Sequence, residues 1–533
     1  MSILPIDSLR STPPASWQPL TGPIIIGRDV LELLSSSMYV DPMAIYREYV
    51  QNAADAIDDA RKAGLLGGEA NGRVTIDIDA TARSIKIRDN GVGVPSAEFE
   101  QRLVAFGGSQ KRGQGQRGFR GVGRLAGLGY CQELTFRTRA AGEKVVAELS
   151  WNCRKLKSAV RGSESNGLLE DLVRTAASVR SGPAFDEPAH FFEVELKGLV
   201  RHRNDQLLNP EAVAFYLAQV APVPFSETFR FGTDIRAALR TDITLGTLDI
   251  YVTGIEGPLR RPHSDEFAVR QREADRFQTI DQIVVKGLDG GTAALGWIAH
   301  HGYTGAIPAA AGFKGLRVRC GDLQIGDDRL FEEIFLEPRF NAWTVGEIHV
   351  IDARIIPNGR RDHFEQNGHF QNLLSQLAPV GREISKRCRA SSIQRNRTRD
   401  LFLQLDRASD NLAVVRQNAI KKTERQRLIV EVGNSIPVLE KRALTLAMSE
   451  EQRQLAKRKL TTLKRLVSRT KGAMGKESRL SVLPAAEQRT VEKVLALIYE
   501  CAPNRTAARL LVDRLLTRLP RLPGMRSSEI PGD

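Results

Sequence analysis

The distribution of glycine divides this chain into two kinds of structure. Glycine and proline punctuate residues 1–381 throughout, whereas glycine is almost absent from residues 382–533. The later residues are rich in Leu, Arg, Lys and Glu, and leucines such as Leu455, Leu460 and Leu463 recur at helical spacing. The sequence therefore predicts a mixed α/β region followed by a region of several helices.

Apolar periodicity predicts the elements of the mixed region. Three- and four-residue spacing predicts a helix over residues 42–63. Alternation predicts a hairpin from residues 74–79 and 84–88, and further strands at 133–139, 144–151, 191–196, 248–252, 282–286, 294–299, 316–319 and 347–351. We expect an α/β domain over residues 1–205, a second α/β domain over 206–381 and a helical domain over 382–533.

The positive charge is concentrated in the last of these domains. The 533 residues carry a net charge of +14. Residues 382–533 hold 33 Lys and Arg against 16 Asp and Glu, whereas residues 1–381 hold 44 against 47. A basic segment of this size can meet nucleic acid, an acidic protein or a membrane surface, although a solvated helical surface has a similar composition.

Composition also excludes several classes of protein. No apolar stretch approaches the ~20 residues of a membrane-spanning helix, and the first residues lack the pattern of a secretory signal. We therefore expect a cytoplasmic protein with no membrane partner. The five cysteines show no C-x-x-C spacing, which predicts isolated buried thiols and neither a disulfide framework nor a zinc site.

The first candidate for chemistry is a polar face on the predicted first helix. Glu48, Asn52 and Asp55 fall at i, i+4 and i+7, so two carboxylates and an amide project from one side. An ordinary polar face would have the same spacing. The apolar neighbours Val50 and Ile57 indicate instead a helix packed against a core.

Two glycine-rich segments follow. Asp89 comes directly after a predicted strand, and Gly91 and Gly93 would let the backbone approach a ligand, although Asp-Asn-Gly is also a common turn. Further on, Gly118 to Gly123 precede an apolar stretch, an arrangement in which free N–H groups hold phosphate. Residues 106–117 before them are polar and basic, as in a lid over a phosphate chain. A glycine-rich surface loop is the alternative.

In this order and spacing the three segments resemble the ATP site of the GHKL superfamily, which includes gyrase, histidine kinases, MutL and the ninety-kilodalton heat-shock chaperones. Residues 48–56 resemble its Glu-x-x-x-Asn-x-x-Asp-Ala box, residues 89–93 its Asp-x-Gly-x-Gly box and residues 118–123 its second glycine box. The resemblance implies a GHKL, or Bergerat, α/β sandwich that binds ATP and Mg²⁺.

The resemblance also implies a role for each residue. Glu48 would be the general base for the water that attacks the γ-phosphate, and Asn52 would offer an oxygen to Mg²⁺. Asp89 would accept a hydrogen bond from the adenine amino group, and Asp55 would support the nucleotide region. The remaining nucleotide contacts would come from Gly91, Gly93, Lys111, Gly118, Gly121, Val122 and Gly123. We find no counterpart of the threonine that the family often has in a late strand.

Residues 316–362 resemble the middle domain of the heat-shock chaperones, the branch of the superfamily to which the chain is most similar. Asn358 and Arg361 match that family's Asn and Arg, and the resemblance implies that Arg361 reaches the γ-phosphate when the domains close. Arg360 is the rival for this role, and a surface arginine pair on a turn is the structural alternative.

The resemblance covers roughly residues 25–365. It implies an ATP-hydrolysing, chaperone-like protein that closes as a homodimeric clamp on protein clients. One alternative is an ATPase clamp that acts on DNA or RNA through the basic residues 382–533. Another is an ATP-binding scaffold with little turnover.

Overall fold

The computed structural model describes residues 41–67, 72–104, 123–161, 169–201, 203–270, 273–417, 422–472, 480, 483–503 and 505–518. They fall into two compact units. The first runs to residue 302 and from 306 to 384, and the second contains residues 303–305 and the residues from 385 onward. Among the described helices, none combines the length and the apolar character that crossing a bilayer requires.

A seven-stranded sheet forms the first layer of the first unit, in the order β5-β4-β3-β6-β2-β1-β7. Its strands are β1 (Gly72–Asp79), β2 (Ser84–Asp89), β3 (Glu133–Arg139), β4 (Val145–Asn152), β5 (Ala177–Pro183), β6 (Phe191–Lys197) and β7 (Leu248–Val252). The predicted hairpin is confirmed, because β1 and β2 pair antiparallel from Val74 opposite Asp89 to Asp79 opposite Ser84.

Helices cover this sheet. They are α1 (Ala44–Lys62), α2 (Ser96–Val104), α3 (Cys153–Arg161), α4 (Leu169–Ala176) and α5 (Pro210–Val220), with a 3₁₀-helix at Gly123–Gly129. The predicted first helix is confirmed as α1. Its Val50, Ala54 and Ile57 are buried in one core with Val74 and Ile76 of β1, so apolar spacing at three and four residues marks the face that meets the sheet.

The first sheet continues past residue 205. β7 pairs parallel with β1, with Gly72 opposite Leu248, and Leu217 of α5 lies in the core of this sheet. The edge of the sheet is therefore completed by a strand from the stretch of sequence assigned to the next domain. The 205/206 boundary does not coincide with the end of this layer.

A second sheet of five strands follows, in the order β10-β11-β14-β12-β13. Its strands are β10 (Thr279–Lys286), β11 (Thr292–His300), β12 (Gly315–Cys320), β13 (Leu323–Ile325) and β14 (Val345–Val350). A two-stranded ribbon, β8 (Glu266–Arg270) with β9 (Glu273–Arg276), and α6 (Gly232–Leu239) accompany it. All the strands predicted between residues 282 and 351 are confirmed, since each lies within or overlaps one of these.

A buried ion network joins the second sheet to the chain around β7. The Arg261 guanidinium donates to Asp322 and Glu347, and Arg319 Nε donates to Glu347 Oε1 at 2.7 Å. All four side chains are at most 1% exposed. Although burial alone would raise it, Arg261 and Arg319 hold the pKa of Glu347 well below its ordinary value.

The same network fixes the segments on either side of β7. Arg261 Nε donates to the carbonyl of Val223 at 3.0 Å, and the Gly246 amide donates to Asp322 Oδ2 at 2.8 Å. Since Glu347 lies on β14 and Asp322 follows β12, paired charges connect the edge of the first sheet to the middle of the second. The network thus holds the second sheet against the edge of the first.

The second unit is helical. Its helices are the part of α7 (Gly368–Gln417) from residue 385 onward, α8 (Lys422–Thr445), α9 (Glu450–Gly472), α10 (Ala485–Cys501) and α11 (Arg505–Arg518). Leu405 of α7, Ile436 of α8 and Leu460 and Leu463 of α9 pack in one core. The predicted order of two α/β regions and a helical region is confirmed.

Candidate active site

Glu48 lies on α1 between two guanidinium groups. Its side chain is 6% exposed, and Oε1 is 3.5 Å from Arg47 Nη2 and 3.6 Å from Arg361 Nε. Arg47 precedes it on the same helix, whereas Arg361 comes from the turn after the second sheet. A buried carboxylate is thus held in place by one cation from each layer of the first unit.

A tight turn presents Arg361 to Glu48. Arg361 adopts φ +56°, its amide donates to the carbonyl of Asn358 at 3.1 Å, and its carbonyl accepts from the Gly326 amide at 2.8 Å. Arg360 is exposed, but its carbonyl accepts from Arg47 Nη2 at 2.9 Å. The turn therefore directs the Arg361 side chain to the Glu48 carboxylate, whereas Arg360 binds Arg47 through its backbone carbonyl.

The other two predicted polar residues of α1, Asn52 and Asp55, follow Glu48 at i+4 and i+7. Asn52 is half-buried one turn further on, and its amide has no hydrogen-bond partner among the described residues. Asp55 is 2% exposed. The oxygen of Asn52 is therefore available to a ligand beside Glu48, whereas Asp55 lies within the fold.

Asp89 ends β2 as a buried carboxyl group. Burial raises the pKa of Asp89 to about 7, against the opposing effect of backbone N–H groups of Gly91 and Phe192. Oδ1 accepts from the Gly91 amide at 2.8 Å. A carboxyl group with this pKa exchanges its proton near neutral pH and can respond to a hydrogen-bond donor placed against it.

The glycines after Asp89 are required by close contacts. A Cβ at Gly91 would lie 2.5 Å from that of Ala56 on α1, and a Cβ at Gly93, which has φ +69°, would lie 2.1 Å from the carbonyl oxygen of Arg139. No other residue type fits either position without a shift of the backbone. The loop is thereby pressed against both α1 and β3.

Gly123 begins the 3₁₀-helix directly beside Glu48. A Cβ at Gly123 would lie 2.4 Å from Glu48 Oε2, so the glycine lets the backbone approach the carboxylate. The structure thus brings Glu48 and Gly123 together, with Asn52 one turn further along α1. Four of the predicted nucleotide contacts lie outside the described residues: Lys111, Gly118, Gly121 and Val122.

Sequence reasoning missed several residues around this site. Arg47 adjoins Glu48 in the sequence, and this position could have indicated a cation beside the carboxylate. Arg124 follows Gly123, and burial lowers its pKa to about 10. Thr138 on β3 accepts from the Val94 amide at 2.9 Å and donates to the carbonyl of Phe191 at 2.9 Å. It ties the Asp89 loop to the sheet, and only strand pairing could have revealed it.

The prediction of isolated buried thiols is wrong for three cysteines, because two of them lie side by side and a third is exposed. Cys131 and Cys153 are buried with their sulfur atoms 3.8 Å apart, because β3 and β4 pair next to them. Cys131 Sγ also donates to the carbonyl of Gly127 in the 3₁₀-helix at 3.2 Å. Cys501 is exposed. A separation of 22 residues gave no spacing signal for the pair.

These residues fit a bound nucleotide and its cation. Gly91 and Gly93 let the loop after Asp89 pack against α1 and β3, and Gly123 lets the backbone approach Glu48. The Asn52 oxygen is of the kind that Mg²⁺ prefers. A carboxylate flanked by guanidinium groups can orient water while those cations offset developing negative charge. The arrangement is therefore suited to phosphoryl transfer to water.

Comparison with known proteins agrees with this chemistry. Residues 43–166 match the family described as histidine kinase-, DNA gyrase B- and HSP90-like ATPase. The relatives include Chaperone protein HtpG of Alkalilimnicola ehrlichii, 27% identical over 197 residues, which are 34% of this chain and 29% of the relative. Chaperone protein HtpG of Escherichia coli is 30% identical over 141 residues, 23% of each chain. The chain thus covers less than a third of the length of these relatives.

Proposed function

We propose that this chain, which belongs through residues 43–166 to the histidine kinase-, DNA gyrase B- and HSP90-like ATPase family, hydrolyses ATP with Glu48 as general base. The observation that carries the proposal is the position of Glu48, buried on α1 and flanked by Arg47 and Arg361. These two partners hold the carboxylate in one orientation, from which it can accept the proton of an attacking water.

The two arginines have different tasks in this mechanism. Arg47 lies next to Glu48 on α1 and fixes the orientation of its carboxylate. Arg361 reaches the same carboxylate from the second layer, so it can turn from Oε1 to a phosphate as charge builds on the transferring group. Hydrolysis would then depend on the relative placement of the two layers, which the buried network around Arg261 holds.

The remaining site residues bind and orient the nucleotide. Mg²⁺, when bound, would neutralise phosphate charge and orient the triphosphate. Asn52 would hold this ion through its amide oxygen, which is not engaged by a described residue. Asp89 would accept from the adenine amino group, and the backbone at Gly123 would contact phosphate. The roles of Lys111, Gly118, Gly121 and Val122 rest on the sequence resemblance alone.

The assembly that we propose is a cytoplasmic homodimer that closes on protein clients. The name of the relatives, Chaperone protein HtpG, supports this proposal. So do the last two helices, which expose apolar side chains by 42% to 56%: Val494, Leu497, Leu510, Leu511 and Leu515. A second copy of the chain would cover them. We expect Leu511→Asp with Leu515→Asp to yield monomers in light scattering, whereas the wild type remains a dimer.

The charge of the second unit favours one further candidate function. An ATPase that acts on DNA or RNA would need a basic surface, and residues 382–533 carry a net charge of +17. Aromatic residues for base stacking are scarce there, with only Phe402 and Tyr499. Contact with a duplex through phosphates is therefore the form that this candidate takes.

The test of the catalytic assignment is Glu48→Ala. We expect hydrolysis to fall by about 10²- to 10⁴-fold, the usual contribution of a general base, while ATP still binds, as measured by calorimetry. Asp59→Ala is the matched control, because Asp59 lies on the same helix but faces solvent beside Lys62. Unchanged hydrolysis in Glu48→Ala would show that another group activates the water.

A further inference from the structure

The outer face of α9 (Glu450–Gly472) concentrates the positive charge of the second unit. From Gln452 to its end the helix has eight Lys and Arg and no Asp or Glu. Six of these are exposed and form no ion pair with any described residue: Arg453, Lys457, Arg458, Arg465, Arg469 and Lys471. Of the other two, Lys464 pairs with Glu440 of α8 at 2.5 Å, and Lys459 pairs with Asp406 of α7.

The helical period arranges these cations in two rows. At 100° per residue, the first row contains Arg453, Lys457, Lys464 and Lys471, and the second contains Arg458, Arg465 and Arg469. Exposed Gln454, Thr461 and Ser468 lie between the rows at seven-residue intervals. The buried residues Ala456, Leu460, Leu463 and Val467 face the core on the other side. We call the two rows and the strip between them the basic face.

We propose that the basic face binds double-stranded DNA, with α9 lying in the major groove. A helix with its side chains is about 10–12 Å across, close to the ~12 Å width of the major groove of B-form DNA. Each row would then contact the phosphates of one strand. The uncharged strip of Gln454, Thr461 and Ser468 would face the base edges.

The dimensions and the composition of the basic face favour this partner. From Arg453 to Lys471 the rows run about 27 Å along the helix, enough to meet several phosphates on each strand. A protein partner would require apolar anchors, since interface cores are apolar and depleted in Lys. The exposed Leu455 lies outside both rows. A-form RNA is disfavoured because its major groove is deep and narrow.

This inference rests on the second candidate function and deepens it, and its test requires no ATP. The full chain is titrated into a labelled duplex of about 20 base pairs, and binding is followed by fluorescence anisotropy at several salt concentrations. Six contacts predict that log K falls with log[salt] with a slope of about −5. A failure here would leave hydrolysis through Glu48 unaffected, and a failure of Glu48→Ala would leave DNA binding unaffected.

The decisive variant combines Lys457→Gln, Arg458→Gln and Arg465→Gln, which removes charge from both rows. We expect affinity to fall at least about tenfold at low salt and the salt slope to decrease by about three. The matched control combines Arg397→Gln, Arg399→Gln and Arg407→Gln. These residues are exposed on α7 in the same unit and give the same change in net charge. Equal helicity by circular dichroism checks that both variants fold.

Three outcomes would overturn the proposal. Equal losses in the two variants would mean that diffuse charge binds DNA and that α9 has no special role. If neither variant lost affinity for DNA, the DNA contact would lie elsewhere in the chain. If the protein bound double-stranded RNA or poly-glutamate as tightly as duplex DNA, the basic face would instead be a surface that binds A-form RNA or acidic proteins. A selective loss in the α9 variant supports the major-groove arrangement.

Discussion

The two units use charge in opposite ways. In the first, Arg261, Asp322, Glu347 and Arg319 are buried and bonded to one another. In the second, the cations of α9 face water, and most have no partner among the described residues. A buried charge must be paired at all times, whereas an exposed one is screened and free to meet another molecule. Buried charge therefore fixes positions inside the protein, and exposed charge is available to other molecules.

The largest effect is expected where buried charge is removed. Glu347→Ala leaves both Arg261 and Arg319 without their shared carboxylate, so we expect the free energy of unfolding to fall by about 3–5 kcal/mol. Denaturant unfolding measures it, and the loss should be insensitive to salt. Glu337→Ala is the control, because its partner Arg339 is 66% exposed, and it should cost less than about 1 kcal/mol. Equal losses would mean that the network is not a buried anchor.

The next effect is a dependence on pH that comes from Asp89. Its pKa is about 7 in the folded protein and 3.8 in the unfolded chain. As the pH rises from 4 to 7 the unfolded chain loses this proton first, so stability falls across that interval and levels off above it. The upper limit is about 4 kcal/mol, from about three pKa units. Asp89→Asn should remove this slope between about pH 4 and 7 in denaturant unfolding. If the slope is unchanged in Asp89→Asn, another group must bind the proton.

A third prediction separates the two arginines of the turn after β14. We expect Arg361→Ala to slow ATP hydrolysis by about 10²-fold, which is about 2.7 kcal/mol, because in the proposed mechanism Arg361 offsets charge on the transferring phosphate. Arg360→Ala should change the rate less than about threefold, since Arg360 contributes its carbonyl and its side chain is exposed. Steady-state kinetics of the two variants decide the matter. A larger effect in Arg360→Ala would reverse the assignment.

Local patterns in the sequence predicted much of the first unit. The spacing of Glu48, Asn52 and Asp55 on one helix and the hairpin of β1 and β2 depend on residues close in the chain, where periodicity is informative. The two α/β regions and the helical region followed from composition. The position of Asp89 at a strand end also required no distant contact.

Contacts between distant residues could not be predicted in this way. Arg47 meets the carbonyl of Arg360 across 313 residues, and the choice between Arg360 and Arg361 depends on a positive φ that only the folded turn reveals. Likewise, β7 pairs with β1 although the two strands are far apart in the sequence. Cys131 lies beside Cys153 because β3 pairs with β4. Such contacts are set by packing of the whole unit, which no short window of sequence contains.

The smallest effect is expected at the one paired cation in the rows of α9. Lys464 and Glu440 are 54% and 37% exposed, so a double-mutant cycle with Lys464→Ala and Glu440→Ala should give a coupling below about 1 kcal/mol that disappears at high salt. Glu440→Ala alone should slightly raise the affinity for duplex DNA, because it removes an anion beside the basic face. A coupling as large as the loss in Glu347→Ala would contradict the contrast between the units, since exposed charge would then stabilise the fold as buried charge does.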